Sequence, residues 1–258
     1  MLVITIPAYN EAPTIGLLLW RIRRVFEAYS REYEVIVLDD GSTDATPDTL
    51  RPYIKVLPLT VLRNEERRGY AAALDRLVRA ASGRTRYPRR DAMIMMQGDF
   101  TDQPEHIPEL VKCFEGGADL VVGEQAALPA AAPTPVRRLR RMAPWVVRPL
   151  VKLPGIVDPL STFRLYRIAL LRELLRDAGD APIVHWDGWA ANVELLMKLS
   201  ALARRRETVP LESRYDLRPR ESRVRPFAGV VDLYRFGRAA KAHRPERARS
   251  SSSAPTLS

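Results

Sequence analysis

The sequence of 258 residues contains a single cysteine, Cys113. One cysteine excludes an intramolecular disulfide, which fits a protein of a reducing compartment. Long apolar runs are also missing, because none approaches the roughly 18 residues that a membrane-spanning helix needs. The first residues have the pattern of a strand and not of a signal peptide. We therefore expect a cytoplasmic protein, either free in solution or bound peripherally at the inner face of the membrane.

Two glycine-rich nucleotide-binding motifs are absent as well. The first predicted strand is not followed by G-x-G-x-x-G, which argues against a dinucleotide cofactor, and no Walker sequence is present, which excludes a P-loop nucleotidase. The chain has three histidines. His106 and His185 have no metal-ligating partner at a useful spacing, so we interpret both as structural or surface residues.

The net charge of +10 comes from two strongly basic regions. Residues 126–157 contain six basic side chains and no acid, and residues 204–258 contain fourteen basic against six acidic residues. Such regions can bind nucleic acid, anionic lipid or a phosphorylated substrate. Neither region contains a recognised nucleic-acid-binding motif, so we expect no nucleic-acid partner.

The N-terminal part of the chain alternates between buried strands and amphipathic helices. The predicted strands are apolar, continuous runs, and they cover 2–6, 34–38, 59–62 and 92–96. Helices are predicted from Thr14, from Thr46 and over 70–81. This alternation predicts an α/β fold with a doubly wound, mostly parallel sheet and helices on both faces.

Polar side chains follow each predicted strand at its carboxyl end. In an open parallel sheet these ends lie along one edge, where ligands bind. The side chains are Tyr9, Asn10 and Glu11, then Asp39 and Asp40, then Arg63 and Asn64, and then Gln97 and Asp99. On an extended segment, Gln97 and Asp99 would place two oxygens on one side, half a ligand shell for a divalent cation that carries phosphates. The plainer alternative is that Asp99 only caps or turns the chain.

Several short motifs follow one another along the sequence. They are residues 6–11, 37–44, 63–64, 69–73 and 117–123, and Asp158 with Ser161, Phe163 and Arg164. In order and spacing they resemble glycosyltransferase family 2, and within it the dolichyl- and polyprenyl-phosphate mannosyltransferase-like branch. The resemblance extends from Leu2 to about Phe236. It implies the GT-A fold, a Rossmann-like doubly wound sheet, in one domain over residues 1–245.

The resemblance also implies a nucleotide-sugar donor and a divalent cation. The residues that would bind the donor are Pro7, Tyr9, Glu11, Asp39, Asp40, Asn64, Gln97, Arg218, Ser222 and Arg223. Among them, Arg218, Ser222 and Arg223 would contact phosphates. The cation, Mg²⁺ or Mn²⁺, would bind Asp99 and Gln97 and bridge the diphosphate.

The chain departs from the family pattern at the cation site and on the acceptor side. Family members usually have Asp-X-Asp where this chain has Gln97, Gly98 and Asp99. One anionic ligand thus becomes a neutral amide, so we expect weaker cation binding. Thr162 replaces a glycine, and the glycine expected before Ser222 is missing. The motifs therefore support donor binding more strongly than acceptor binding.

By this resemblance the reaction is an inverting transfer to a polyprenyl phosphate or another membrane-associated acceptor. A hydroxyl acceptor requires a carboxylate base, for which the candidates are Asp158, Asp187 and Glu194. A lipid phosphate is already an anion and requires no strong base. Two alternatives stay open: a soluble transferase acting on a small-molecule or glycan hydroxyl, and a non-catalytic nucleotide-sugar-binding relative whose metal site is lost at Gln97.

Residues 136–152 combine arginines with large apolar side chains and Trp145. This composition is typical of a helix that lies on an anionic membrane, and 126–157 as a whole would face the acceptor or the membrane. Equally open is a solvated basic helix whose apolar side packs on its own domain. Residues 246–258 have the composition of a disordered tail.

Overall fold

Seven strands form one mixed sheet in the computed structural model, which describes residues 1–125, 132–211 and 226–242. The strands are β1 (Leu2–Ala8), β2 (Tyr33–Asp40), β3 (Leu59–Asn64), β4 (Ala92–Met95), β5 (Leu120–Gln125), β6 (Arg164–Arg167) and β7 (Arg206–Leu211). Their order across the sheet is β3-β2-β1-β4-β6-β5-β7. β6 runs antiparallel to both of its neighbours, and every other pair is parallel.

Helices cover both faces of this sheet. They are α1 (Ala12–Ala28), α2 (Thr46–Leu50), α3 (Tyr70–Gly83), α4 (Ile107–Glu115), α5 (Thr134–Val147), α6 (Ile168–Ala178), α7 (Gly188–Leu202) and α8 (Pro226–Ala242). Apolar residues of α1 and α4 form the core on one face, and those of α3, α6 and α7 form the core on the other. The predicted doubly wound, mostly parallel α/β architecture is therefore confirmed.

Strand β1 shows why the central strands read as continuous apolar runs. All seven of its residues are buried, because β1 lies between β2 and β4 with helices on both sides. Alternate side chains enter opposite cores, with Ile4 and Ile6 on one face and Val3 on the other. A strand buried on both faces requires apolar residues at every position, which is the pattern that predicted it.

A third apolar cluster lies between α5, α7 and α8. The residues buried there include Leu139, Ala143 and Val147 of α5 and Leu233 and Phe236 of α8. The apolar side of the basic helix α5 thus packs on its own chain, as one of the two interpretations predicted. Its outer face keeps Met142 at 41% and Trp145 at 84% exposure. Within the described ranges, α5 included, no helix has the length and apolar character that crossing a bilayer requires.

Candidate active site

The loops that follow β1 and β2 are bound to each other at the carboxyl edge of the sheet. The N–H of Asn10 donates to Ser42 Oγ at 2.9 Å, and the N–H of Thr43 donates to Asn10 Oδ1 at 2.8 Å. The N–H of Glu11 donates to Thr46 Oγ1 at 2.8 Å. These bonds place the polar residues after the first two strands on one continuous surface, as the strand-end argument predicted.

Pro7, Tyr9 and Glu11 occupy different layers of this surface. Pro7 is buried in β1, and its carbonyl oxygen lies so near Gly98 that a Cβ there would be 3.2 Å away. Tyr9 has the guanidinium of Arg67 at 4.3 Å from its ring centroid. Glu11 is only 6% exposed, at the start of α1. Tyr9 therefore forms the outer part of this surface, and Pro7 and Glu11 form its floor.

Asp39, a predicted donor contact, has one carboxylate oxygen without a hydrogen bond to any described residue. The side chain is fully buried, and its Oδ1 accepts a hydrogen bond from the N–H of Ser42 at 2.9 Å. Its Oδ2 forms no hydrogen bond with any described residue and lies 3.5 Å from Arg63 Nε, on a side chain that is 54% exposed. A buried acceptor without a hydrogen bond is costly, so this oxygen is suited to a ligand hydroxyl or N–H group.

Asp40 and Asn64, also predicted as donor contacts, form their hydrogen bonds with other residues of the chain. The carboxylate of Asp40 accepts hydrogen bonds from Asn64 Nδ2 at 2.7 Å, Arg68 N at 2.8 Å and Gly69 N at 2.9 Å. Asn64 Oδ1 in turn accepts a bond from Arg76 Nη1. Together they hold the loop between β3 and α3, which carries Arg67 to the ring of Tyr9.

A cavity of about 190 Å³, here called the Asp99 cavity, opens beside the end of β4. It brings together the two predicted metal ligands, while the other predicted donor residues that the structure describes lie outside its lining. Its walls come from the β4 loop and from helices α3, α5 and α7. The lining residues are Tyr70, Gln97, Asp99, Thr101, Val136, Arg140, Thr162, Gly188, Trp189 and Asn192.

The segment that carries Gln97 and Asp99 is not extended, so the prediction on this point was wrong. β4 ends at Met95, Gly98 and Asp99 form a turn, and Phe100 has a φ of 67°. Asp99 Oδ1 stabilises the turn by accepting hydrogen bonds from Thr101 N at 3.1 Å and Thr101 Oγ1 at 2.6 Å. Asp99 thus turns the chain, as the plainer alternative held, and it also lines the cavity.

A hydrogen-bonded chain fixes the orientation of the Gln97 amide. Gln97 Nε2 donates to the hydroxyl of Tyr70 at 2.8 Å, and that hydroxyl donates to Asn192 Oδ1 at 3.2 Å. Burial raises the pKa of Tyr70 above its usual range, against the opposing effect of the Gln97 bond. Tyr70 therefore remains a protonated donor, and Gln97 keeps its amide oxygen for another partner.

Asp102 supports the turn from beneath. It is only 6% exposed, and its Oδ2 accepts hydrogen bonds from Gln97 N at 2.9 Å and Thr162 Oγ1 at 3.1 Å. Burial raises its pKa to about 7, and the charge of Asp99 adds to this, while the two hydrogen bonds act in the opposite direction. Thr162, which stands where the family pattern has glycine, thus supplies a hydroxyl to this carboxyl group.

The residues at the Asp99 cavity fit a cation only if a ligand helps to hold it. Asp99 is the one carboxylate that lines the cavity, and no group of three or more His, Cys, Asp or Glu in the described residues could hold a metal. A carboxylate and an amide oxygen suit Mg²⁺ or Mn²⁺, but two protein ligands leave most of the shell to other oxygens. The set therefore fits a cation shared with a diphosphate.

A second cavity, of about 580 Å³ and here called the arginine cavity, adjoins the first. Arg140 lines both cavities. Asp158 is the only acid among the described residues of the lining, and its Oδ2 pairs with Arg140 Nη1 at 2.6 Å. The lining residues are Gln125, Thr134, Arg137, Arg138, Arg140, Arg141, Pro144, Arg148, Val157 and Asp158. Five guanidinium groups around one carboxylate make this a strongly electropositive site, suited to an anion.

Each of the three candidate bases is hydrogen-bonded within the chain. Asp158 pairs with Arg140, as described above. Asp187 Oδ1 accepts a hydrogen bond from Ala71 N at 3.0 Å, at the start of α3. Glu194 binds Lys198 Nζ at 2.7 Å and the N–H groups of residues 185 and 186. Burial acts to raise the pKa of Glu194, but these bonds outweigh it and hold the pKa below its usual value. Of the three, only Asp158 lines one of the two cavities.

The predicted phosphate contacts Arg218, Ser222 and Arg223 lie outside the described residues. The lining of the Asp99 cavity also includes residues that were not predicted to bind the donor or the cation, among them Tyr70, Trp189 and Asn192. Tyr70 and Trp189 each follow a glycine near the start of a helix, which is a weak signal. Nothing in the spacing of the sequence indicates that Asn192 faces Gln97.

The sequence profile described as Glycosyl transferase family 2 matches residues 3–175. The chain belongs to this family. Among family 2 relatives, the dolichol-phosphate mannosyltransferase of Pyrococcus furiosus is 28% identical over 199 residues, which cover 76% of this chain and 52% of the relative. The dodecaprenyl-phosphate galacturonate synthase of Rhizobium johnstonii is 27% identical over 177 residues, 66% of this chain and 49% of the relative. The chain thus spans about half the length of these relatives.

A solved structure of glucosyl-3-phosphoglycerate synthase from Mycobacterium tuberculosis, in complex with Mn²⁺, UDP and glucosyl-3-phosphoglycerate, has the same fold. It superposes with a TM-score of 0.59 at 23% identity and covers 93% of this chain and 78% of that one. The likeness shows that this family 2 chain has the GT-A fold, as the motifs implied. The chemistry of the site is argued below from its own residues.

Proposed function

We propose that the protein is an inverting glycosyltransferase that moves a sugar from a GDP- or UDP-sugar to a polyprenyl phosphate or another membrane-associated acceptor. The observation that carries this proposal is the pair of adjoining cavities, one with Asp99 and one with five arginines, joined at Arg140. A transferase for a phosphorylated acceptor requires two neighbouring anion sites. Membership in glycosyl transferase family 2 supports the same reaction class.

On the donor side, Tyr9 and the buried Oδ2 of Asp39 would contact the nucleoside, and the diphosphate would lie at the Asp99 cavity. Asp99 and Gln97 would hold Mg²⁺ or Mn²⁺ together with the diphosphate oxygens. When bound, such a cation neutralises the charge that develops on the leaving nucleotide. The relatives support a metal of this kind, since the synthase from Mycobacterium tuberculosis binds UDP together with Mn²⁺. Arg218, Ser222 and Arg223 remain proposed phosphate contacts.

On the acceptor side, the arginine cavity favours a phosphate over a hydroxyl. A phosphate oxygen attacks the anomeric carbon as an anion, so no carboxylate has to remove a proton. This agrees with the absence of an unpaired carboxylate among the three candidates, because Asp158 pairs with arginine and Asp187 and Glu194 hold the backbone. The relatives named for dolichol phosphate and dodecaprenyl phosphate support an acceptor of this class.

Apolar surface beside the arginine cavity favours a phosphate carried on a lipid. Trp145 and Val157 are 84% and 60% exposed, and Val157 lies at the cavity itself. A further groove of about 330 Å³ begins at Arg148, the residue that it shares with the arginine cavity. Its lining is mainly apolar and includes Val147, Val151, Leu153 and Ile156. An isoprenoid chain could follow this groove from the phosphate towards a bilayer.

The donor proposal is tested by calorimetry with UDP and GDP, each with and without Mn²⁺. We expect one nucleotide to bind, and to bind more tightly when Mn²⁺ is present, because the single carboxylate of the cavity needs the cation to hold a diphosphate. Binding of neither nucleotide to the folded protein would contradict the transferase proposal and leave a degenerate relative. Equal binding of the nucleotide with and without Mn²⁺ would indicate that arginine side chains, and not a cation, hold the diphosphate.

The membrane proposal is tested by co-sedimentation with phosphatidylcholine vesicles that contain or lack phosphatidylglycerol. We expect binding only to the anionic vesicles, and we expect Trp145→Ala or Arg141→Gln to weaken it about fivefold each. Trp20→Ala is a matched control, since Trp20 is 50% exposed on α1, away from both cavities. Equal losses with Trp20→Ala and Trp145→Ala, or no binding by the wild type, would contradict α5 as the membrane-facing surface.

A further inference from the structure

Arg140 occupies the boundary between the Asp99 cavity and the arginine cavity. Among the residues that the structure describes, it alone lines both. Its side chain is 10% exposed, and its Nη1 donates to Asp158 Oδ2 at 2.6 Å. The other four arginines of the second cavity do not reach the first. Arg140 is thus distinguished from its neighbours on α5 by both position and burial.

The Nε atom of Arg140 is buried and has no hydrogen-bond partner among the described residues. A guanidinium group is always charged and has five N–H donors in a rigid plane, so an unpaired buried donor is costly unless a ligand uses it. The Asp158 bond accounts for one end of the group. Because Arg140 lines both cavities, a ligand in either cavity can reach its guanidinium group.

Asp158 is itself held in place by the chain. Its N–H donates to Glu124 Oε1 at 3.1 Å, and its own Oδ1 accepts a hydrogen bond from Leu160 N at 3.1 Å. The carboxylate therefore has a fixed position, and it counters the repulsion that the neighbouring arginines exert on the Arg140 guanidinium. Without it, the like charges would favour a displaced side chain.

We propose that Arg140 contacts both substrates, the diphosphate of the donor on one side and the phosphate of the acceptor on the other, and that Asp158 is its positioning residue rather than a base. This inference rests on the proposed function. In the transfer, a bond forms between the acceptor oxygen and the anomeric carbon while the bond from that carbon to the diphosphate breaks. Negative charge passes from the acceptor to the leaving diphosphate, and no proton moves. A guanidinium between the two anions stabilises the charge at both ends of the displacement.

The test compares two probes, the nucleotide that the wild type binds with Mn²⁺, and citronellyl phosphate as a soluble short-chain polyprenyl phosphate. We expect Arg140→Gln to weaken the binding of both probes by about tenfold or more, the size expected for a lost bond to a charged group. Arg137→Gln should weaken citronellyl phosphate only, because Arg137 lines the arginine cavity alone. Arg176→Gln, at an exposed arginine of α6, is the neutral control.

Asp158 is tested through its dependence on Arg140. Asp158→Asn should weaken both probes in the wild-type background and have no further effect in the Arg140→Gln background, whereas a residue that acts independently would weaken binding equally in both. Arg140→Lys should restore part of the affinity lost in Arg140→Gln. Thermal unfolding checks that each variant is folded.

The outcomes separate this inference from the function on which it rests. If the wild type binds neither probe, the proposed function fails and the inference fails with it. If the wild type binds both but Arg140→Gln weakens only one, the two-sided role is wrong while the transferase proposal stands. If Asp158→Asn weakens binding equally with and without Arg140, Asp158 is not its positioning residue.

Discussion

Asp99→Asn is expected to lower the Mn²⁺-dependent affinity for the nucleotide, and any sugar transfer, by about 100-fold or more. In a family 2 site with two acids, substitution of one acid leaves the other carboxylate to bind the cation. Here Gln97 is neutral, so among the described residues Asp99 provides the only negative charge that lines the Asp99 cavity. The asparagine variant is the informative one, because its side-chain oxygen can still accept the hydrogen bonds of Thr101 that stabilise the turn. Calorimetry with UDP or GDP across a series of Mn²⁺ concentrations measures the effect.

Gln97→Asp is the matched variant, because it adds a carboxylate to the site where Asp99→Asn removes one. It restores the second acid of the family pattern. Its carboxylate can accept the hydroxyl proton of Tyr70, which now accepts a bond from Gln97 and donates to Asn192 Oδ1, if the hydroxyl turns away from Asn192. We expect it to tighten cation binding in the presence of nucleotide by about tenfold. Unchanged nucleotide binding in Asp99→Asn would contradict a cation site at this position and would assign the diphosphate to arginine side chains.

The strands of the sheet were predictable where their own residues carry the signal. Strands β1 and β2 are buried on both faces, so they are continuous apolar runs that periodicity detects. β6 has four residues, two of them arginines, and gives no such signal. Its antiparallel place between β4 and β5 is fixed by tertiary pairing, and the buried Arg164 is accommodated by bonds to the carbonyl groups of Asn192 and Pro159. No local rule anticipates an arginine in that position.

The location of the candidate site at the sheet edge was predictable from the sequence, but the role of each side chain there was not. Acids at strand ends indicate a ligand edge, and Asp39 and Asp99 fit that argument. Asp40 stands at the same edge, but its partners are backbone N–H groups 28 and 29 residues further along the chain, which spacing does not reveal. Arg140 belongs to a basic stretch whose members look equivalent in sequence. Only the folded chain shows that one of them reaches both cavities.

Asp40→Ala is expected to be the most destabilising substitution at this edge, lowering the free energy of unfolding by about 3–4 kcal/mol. Asp40 is 4% exposed, and its carboxylate accepts three hydrogen bonds, from Asn64 Nδ2 and from the N–H groups of Arg68 and Gly69. Alanine would leave all three donors without this partner. Urea unfolding followed by far-ultraviolet circular dichroism measures the loss.

Two comparisons make that result specific. Asp40→Asn keeps one acceptor oxygen and should lose roughly half as much stability, because it removes the charge and part of the hydrogen bonding. Asp48→Ala removes a carboxylate of the same size whose side chain is 72% exposed in a surface ion pair, and it should change stability by less than about 0.5 kcal/mol. If Asp40→Ala and Asp48→Ala unfold at similar urea concentrations, the loop before α3 does not depend on Asp40. In that event Asp40 would again be a candidate, like Asp39, for direct contact with the donor.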